Sequence, residues 1–195
     1  MRHATLDVIT EEHQALAAML RSMSLLVAQA RRDQRLPDFE VLRAMLFYVD
    51  EFPERLHHTK ESQLLFPAVL RHCPELAAVI SRLEDEHHRG EHAIRDLQHT
   101  LLAFEMMGEP RRDAFEEACA TYQRFYLEHM AVEESQIIPA ARRCFTDEDW
   151  GPLDEAFTAN KDPLAGHEPS PDYKPLFSRI LMQAEAPIGY GKPRA

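Results

Sequence analysis

The sequence of 195 residues has no long apolar run and only 3 cysteines. A membrane-spanning helix needs about 20 consecutive apolar residues, so we expect no membrane partner. The cysteines, Cys73, Cys119 and Cys144, are odd in number and far apart in the sequence. This spacing argues against a disulfide framework and against a Cys-x-x-Cys metal or redox motif. We therefore expect all three to be small core or surface residues.

The chain also lacks an excess of basic residues. Its 22 Lys and Arg against 33 Asp and Glu give a formal net charge of −11. Because an acidic chain repels phosphate backbones, we expect no nucleic-acid partner. Residues 1–7 contain no apolar core followed by a small-residue cleavage site, so we expect no signal peptide and a cytoplasmic location. The composition does not predict an oligomeric state.

Glycine is scarce, with 6 residues, and Ala, Leu, Glu and Arg are abundant, which favours helix over most of the chain. Breaks at Pro37, Pro74 and Gly108 predict four helices. We place these helices at about residues 5–31, 38–71, 74–106 and 111–144. Short connections force neighbouring helices to run antiparallel, so the pattern predicts an all-α, up-down-up-down four-helix bundle over residues 1–145.

Residues 146–195 are predicted to form a C-terminal extension. Thr146 is followed by three acidic residues, which is typical of a helix start and predicts a short helix through about Phe157. Residues 160–175 contain four prolines and are predicted to be a linker. One last short helix is predicted over residues 176–182, and the Pro- and Gly-rich residues 187–195 are predicted to be mobile.

The chain has 11 histidines, and two of them lie on predicted buried helix faces. His13 and His87 each fall in the middle of an apolar stripe with three- and four-residue steps, and a glutamate precedes each one. A single buried histidine is more often a core residue than a ligand. Two in the same context favour a metal, because a shared ion gives several imidazoles a partner at once. We expect the neighbouring His58, His88 and His92 to be surface side chains.

The sequences His57-x-x-x-Glu61 and His129-x-x-x-Glu133 place an imidazole and a carboxylate on one helix face. These two motifs lie 72 residues apart, and Glu12-His13 and Glu86-His87 lie 74 apart, which predicts a pseudo-twofold bundle. Each half then donates two histidines and one carboxylate. The predicted metal ligands are His13, His57, Glu61, His87, His129 and Glu133.

Residues 52–61 with Leu65-Phe66-Pro67, and residues 128–134 with Ile138-Pro139, resemble helices two and four of hemerythrin-like (HHE) cation-binding domains. The resemblance covers about residues 5–145 and extends to bacterial members of that family. It implies a non-haem di-iron centre with two iron ions bridged by Glu61 and Glu133. It also implies that His13 and His129 hold one ion and that His57 and His87 hold the other. Oxygen-carrying hemerythrins use five histidines, and His92 is the candidate for the fifth.

Such a centre keeps coordination positions open, so the predicted function is binding or sensing of a small ligand such as O₂, NO or peroxide. The predicted apolar surroundings are Leu16, Met45, Leu56, Leu64, Leu83, Ile94 and Phe125. One alternative is a di-iron oxidase or peroxidase, whose Glu-x-x-His spacing recurs at Glu54-His57 and Glu84-His87. Others are repair of iron centres under nitrosative or oxidative stress, and a metal-free helical interaction module. The sequence does not decide whether the protein is an enzyme.

Overall fold

The computed structural model describes residues 3–160, 162–165, 167–168, 171 and 173–183, which contain helices and no strand. Four long helices joined by short connections form the bundle, and two shorter helices follow. The long helices are α1 (Ala4–Arg32), α2 (residues 39–72), α3 (residues 74–107) and α4 (residues 109–144). The shorter ones are α5 (Asp147–Thr158) and α6 (Lys174–Gln183). The predicted all-α four-helix bundle is confirmed.

The helix boundaries follow from local chemistry. The Asp38 carboxylate accepts hydrogen bonds from the backbone N–H groups of Glu40 and Val41, at 3.1 and 3.2 Å, and so starts α2. Gly108 ends α3 with a φ of 71°, a conformation that costs glycine little. The Thr146 backbone N–H donates to the Asp149 carboxylate at 2.9 Å, which fixes the start of α5 as the sequence predicts.

Helices α2 and α4 contain wide π-helical turns. Helix α2 comprises Phe39–Val49, a π segment Asp50–His57, His58–Lys60, a π segment Glu61–Leu65, and Phe66–His72. Helix α4 comprises a 3₁₀ turn Glu109–Arg111, Arg112–Val132, a π segment Glu133–Ile137, and Ile138–Cys144. Pro53 lies inside the first π segment, and Pro67 and Pro139 follow the other two. Because proline cannot donate a backbone hydrogen bond, a widened turn accommodates it without ending the helix.

The bundle core consists of two apolar clusters. One is built around Leu20, Met45, Leu97, Phe104 and Phe115. The other is built around Ile9, Phe66, Leu83, Ile137 and Phe157. Along each long helix, most residues of one cluster lie before the predicted ligand positions and those of the other cluster lie after them. The two clusters therefore enclose a polar layer between them.

The C-terminal extension packs on the bundle. Trp150, Leu153 and Phe157 of α5 are buried in the second apolar cluster. Asp154 accepts hydrogen bonds from the backbone N–H and the hydroxyl of Thr5, at 2.8 and 2.6 Å. The division of the chain into residues 1–145 and 146–195 stays a prediction.

Residues that the sequence places in a linker are partly buried. The Tyr48 hydroxyl donates to Asp162 at 2.7 Å, and Lys60 donates to the Ala156 carbonyl at 2.7 Å and to Asn160. Burial raises the pKa of the Asp162 carboxyl to about 6. Proline content alone predicts none of these contacts, because they depend on polar side chains of α2.

Helix α6 follows at the predicted place, with Phe177 and Ile180 in the first apolar cluster. The predicted mobile residues 187–195 lie outside the described part of the chain. Among the described helices, none combines the length and the apolar character that crossing a bilayer requires.

We predict that Phe157→Ala lowers the free energy of unfolding by about 3–5 kcal/mol, because it removes a fully buried ring. The matched variant Phe47→Ala removes a ring that is 44% exposed, and it should change the free energy of unfolding by less than about 0.5 kcal/mol. Urea unfolding followed by circular dichroism measures both. Equal effects of the two variants would contradict the packing of α5 described above.

Candidate metal centre

All six predicted ligands lie in the polar layer between the apolar clusters. None is more than 5% exposed, and Glu61 is completely buried. Helix α1 supplies His13, α2 supplies His57 and Glu61, α3 supplies His87, and α4 supplies His129 and Glu133. The structure therefore brings every residue of the predicted set together.

The histidines of α1 and α2 form one half of the layer. The Nε2 atoms of His13 and His57 lie 3.2 Å apart. His57 Nε2 lies 3.1 Å from Oε1 of Glu61, and His13 Nε2 lies 3.4 Å from Oε2 of Glu133. Two imidazole nitrogens and one oxygen from each carboxylate thus converge on one point.

The histidines of α3 and α4 form the other half. The Nε2 atoms of His87 and His129 lie 3.0 Å apart. The second oxygen of Glu61 lies 3.6 Å from His87, and the second oxygen of Glu133 lies 3.2 Å from His129. Each carboxylate therefore faces both histidine pairs.

This pairing differs from the one that the resemblance implies. The structure pairs His13 with His57 and His87 with His129, instead of His13 with His129 and His57 with His87. The repeat maps α1 onto α3 and α2 onto α4, and both pairings obey that symmetry. Only the packing of the helices, which brings the Nε2 atoms of His13 and His57 together, distinguishes them.

A second ring of hydrogen bonds orients the imidazoles. His57 Nδ1 donates to Glu12 at 2.6 Å, and His129 Nδ1 donates to Glu86 at 2.9 Å. In each Glu-His pair of the repeat, the histidine therefore lies in the layer, and the glutamate accepts a hydrogen bond from a histidine of the next helix. In the neutral imidazoles, these bonds place the proton on Nδ1 and leave the Nε2 lone pair facing the layer.

The remaining two imidazoles have partners at equivalent positions. His13 Nδ1 donates to Glu134 at 3.1 Å, and His87 Nδ1 lies 2.9 Å from the hydroxyl oxygen of Ser62. Ser62 and Glu134 each follow a central glutamate and are 72 residues apart, like the glutamates themselves. The twofold repeat thus extends to the residues behind the imidazoles.

The residues present fit a pair of metal cations. All four carboxylate oxygens of Glu61 and Glu133 are buried, and no described residue donates a hydrogen bond to them. A buried charge without a donor is costly unless a cation or another partner compensates it. Glu61 belongs to two clusters of possible metal ligands, one with His13 and His57 and one with His58, His87 and His129. The donors therefore surround two positions that share a carboxylate.

Burial and neighbouring charges shift the pKa values in opposite directions. Burial lowers the pKa values of His13 and His87, which keeps both imidazoles neutral. Burial also disfavours the charged form of His129, but the carboxylates of Glu133 and Glu86 outweigh it and raise its pKa to about 10. Burial and the charge of Glu61 raise the pKa of Glu133. Without a cation, the layer therefore retains protons that bound metal would displace.

The structure adds one histidine that the sequence argument assigns to the surface. His58 is only 4% exposed and stacks on His87, with ring centroids 4.4 Å apart. Burial and the adjacent imidazoles lower its pKa well below the usual value. The expectation of a surface position is wrong because the π segment ending at His57 changes the rotation between neighbouring residues. His88 and His92 are exposed as expected, so His92 lies outside the layer.

Glu54 and two tyrosines hold His58 in place. His58 Nδ1 donates to Glu54 at 3.3 Å, and the hydroxyls of Tyr122 (2.7 Å) and Tyr126 donate to the same carboxylate. The Tyr126 ring stacks parallel to that of His58 at 5.3 Å. A Cβ atom at position 90 would lie 1.8 Å from the Tyr126 hydroxyl, so only Gly90 leaves room for it. The spacing Glu54-x-x-x-His58 is the one sequence signal for this network.

Two grooves of different character flank the layer. The groove between α1 and α4 has a volume of about 470 Å³ and is lined by His13, Met130, Ala131 and two arginines, Arg21 and Arg142. The groove between α2 and α3 has a volume of about 160 Å³, and its lining includes His58, His87 and the carboxylates of Glu54, Glu84 and Glu91. The twofold repeat relates the two grooves, but their volumes and charges differ.

The predicted apolar surroundings are partly wrong. Leu56 and Leu64 are 40% and 36% exposed, so they face away from the layer. Both lie in the π segments of α2, where the wider turn shifts side chains away from α-helical spacing. Leu16, Met45, Leu83 and Ile94 are buried, as expected.

The comparison with protein families identifies the domain type. A model of the hemerythrin HHE cation binding domain matches residues 4–141, which contain all six predicted ligands. No significant match was found among curated proteins or solved structures.

We predict that Glu133→Gln stabilises the metal-free protein at pH 8 by about 1–3 kcal/mol, because it removes one of two buried carboxylate charges that repel each other. The gain should shrink at lower pH. Since the folded-state pKa of Glu133 is raised, the wild-type protein loses stability as the pH rises through that value. Urea unfolding in the presence of a chelator measures the effect. The control Glu128→Gln changes an exposed side chain and should alter the free energy of unfolding by less than about 0.5 kcal/mol. A destabilised Glu133→Gln protein would contradict the prediction.

Proposed function

This chain belongs to the hemerythrin HHE cation-binding domain family, and we propose that it is a non-haem di-iron protein that binds or senses a small ligand. Family membership makes it a cation-binding protein. The observation that carries the finer proposal is the set of four buried carboxylate oxygens that no described residue satisfies. The ligand is proposed to be O₂, NO or peroxide.

The proposed ligands divide into two groups. His13 and His57 would hold one ion, and His87 and His129 the other, with Glu61 and Glu133 shared between them. We include His58 as an additional donor for the second group, because its ligand atom lies within 4.8 Å of those of Glu61, His87 and His129. The two ions would then have different numbers of imidazole ligands.

Mixed imidazole and carboxylate donors support iron as the metal. Zinc sites usually close at four ligands, often with sulfur, and no described cysteine lies in either cluster of possible ligands. Imidazole suits iron, and iron favours more than four ligands. A pair of iron ions held here would supply open coordination positions for O₂, NO or peroxide.

The groove between α1 and α4 is the proposed entrance for the ligand. It is the larger of the two grooves and leads to His13, whereas carboxylates surround the smaller one. Arg21 and Arg142 give the entrance a positive charge, which favours anionic and polar ligands over cations. Glu134 at the same groove holds the imidazole of His13.

The oxidase alternative has less support. Its Glu-x-x-His spacing would require Glu54 as a ligand, but the Glu54 carboxylate accepts hydrogen bonds from Tyr122 and Tyr126. Glu84 lies in the smaller groove and in neither cluster of possible ligands among the described residues. In a metal-free interaction module, only protons held on neighbouring imidazoles would compensate the charges of Glu61 and Glu133.

We predict that the purified protein contains about two iron ions per chain, because the proposed site has two metal positions that share carboxylates. His57→Ala should lower iron affinity by at least about tenfold, because it removes a direct ligand. His58→Ala should weaken the binding of one of the two iron ions. The control His88→Ala changes an exposed neighbour and should not affect iron binding. Elemental analysis and titration of the metal-free protein measure these changes.

Iron-free wild-type protein after growth and purification with ample iron would contradict the di-iron proposal. Equal iron binding by His58→Ala and wild type would remove His58 from the ligand set and leave the other six in place. Azide added to the iron-loaded protein tests the open positions through its visible absorption spectrum. An unchanged spectrum would contradict the proposed ligand binding.

The entrance is tested by a matched pair of variants. Ala131 lines the larger groove and Thr59 lines the smaller one, 72 residues earlier, and both are exposed. Ala131→Trp should slow azide binding by about tenfold or more without changing the iron content, because the indole fills the entrance. Thr59→Trp should leave the rate unchanged. Stopped-flow absorption measures both rates, and the opposite pattern would place the entrance between α2 and α3.

A further inference from the structure

Two cysteines that are far apart in the sequence meet at one end of the bundle. Cys73 directly follows the last residue of α2, and Cys144 is the last residue of α4. Both are free thiols, and the Cys73 thiol donates a hydrogen bond to the Cys144 sulfur, with the two Sγ atoms 3.0 Å apart. The sequence predicts no such pair, because 71 residues separate the two cysteines.

The surroundings of the two sulfurs differ. Cys73 is 2% exposed, whereas Cys144 is partly exposed and reachable from solvent. The guanidinium group of the exposed Arg143 interacts with both sulfurs, and these contacts raise its own pKa. Arg143 therefore places a positive charge beside the sulfur that solvent can reach. Hydrogen bonding to Cys144 raises the pKa of the Cys73 thiol, so Cys73 is the proton donor of the pair.

We propose that Cys73 and Cys144 form a redox site that a peroxide converts into an intramolecular disulfide. An S–S bond is about 2.05 Å long, so the sulfurs need to approach each other by only about 1 Å. This site shares no residue with the proposed iron ligands.

The reaction balances with one peroxide per pair. The Cys144 thiolate attacks one oxygen of hydrogen peroxide, the O–O bond breaks, and the departing hydroxide takes up a proton to become water. Cys144 is then a sulfenic acid. The Cys73 sulfur attacks the Cys144 sulfur, the S–O bond breaks, and the oxygen leaves as a second water with the proton of Cys73. Two thiols lose two electrons, and the peroxide gains them.

The disulfide would join α2 and α4, the two helices that carry the His-x-x-x-Glu motifs. Glu61 and Glu133 precede the cysteines by 12 and 11 residues. At 1.5 Å per residue, the bond lies roughly 16–18 Å along the helices from the metal layer. Oxidation would therefore restrain the ends of both helices without touching a ligand.

The test uses the reduced full-length protein and one equivalent of hydrogen peroxide. We expect titratable thiols in the unfolded protein to fall from three to one, with a mass loss of about 2 Da and a peptide that links Cys73 to Cys144. The thermal midpoint should rise by roughly 5–10 °C on oxidation, because the bond closes a long loop in the unfolded chain.

Two variants serve as controls. Cys119→Ser removes the buried cysteine outside the pair and should still lose two thiols and gain thermal stability on oxidation. Cys144→Ser should keep both remaining thiols and show no rise in its thermal midpoint. Retention of three thiols by the wild-type protein would overturn the proposal, as would a disulfide that contains Cys119 or links two chains. Repetition with chelator-treated protein should give the same result, so the outcome does not depend on the di-iron proposal.

Discussion

The charge of two carboxylates at the centre of an apolar bundle is the constraint on which the rest of this structure depends. Glu61 and Glu133 are at most 1% exposed, and no described side chain or backbone group donates to their oxygens. An arrangement of this kind is unfavourable for a metal-free core, because two buried carboxylate charges lie close together and have lost their hydration. It is favourable for a layer that binds cations. The apolar clusters on both sides limit solvent access, and Glu12 and Glu86 turn the Nε2 atoms of His57 and His129 inward.

The repeat made most of this centre predictable from the sequence. His57, Glu61, His129 and Glu133 follow from a duplicated motif, and His13 and His87 follow from their place on apolar stripes. The pairing of the histidines could not be predicted, because two pairings satisfy the same symmetry. The burial of His58 and the exposure of Leu56 and Leu64 were also unpredictable from α-helical spacing, since π segments shift these side chains.

The remaining features of the site could not be predicted because they depend on contacts between residues that are far apart in the sequence. Asn160 donates a hydrogen bond to Glu12 at 3.2 Å, and the same carboxylate accepts a hydrogen bond from His57 Nδ1. The ring of Phe157 lies edge-on to that of His57 at 6.2 Å. The first residue of the segment that composition identifies only as a proline-rich linker thus helps to hold the carboxylate that orients the imidazole of His57. The local sequence carries no signal for this role, because it depends on where α5 packs.

The departures from twofold symmetry bear most directly on function. The repeat places Met130 opposite His58, Tyr126 opposite Glu54, and Ala131 opposite Thr59. One side of the layer therefore has a buried imidazole held by a carboxylate and two tyrosines, and the other side has a methionine and an alanine beside an open groove. An additional nitrogen donor on the first side would fill a coordination position there. A ligand would then bind from the second side, where the groove is larger and positively charged. The duplicated framework that gives the six central residues their symmetry thus surrounds them with two different faces, and the proposed ligand site lies on the side of the larger groove.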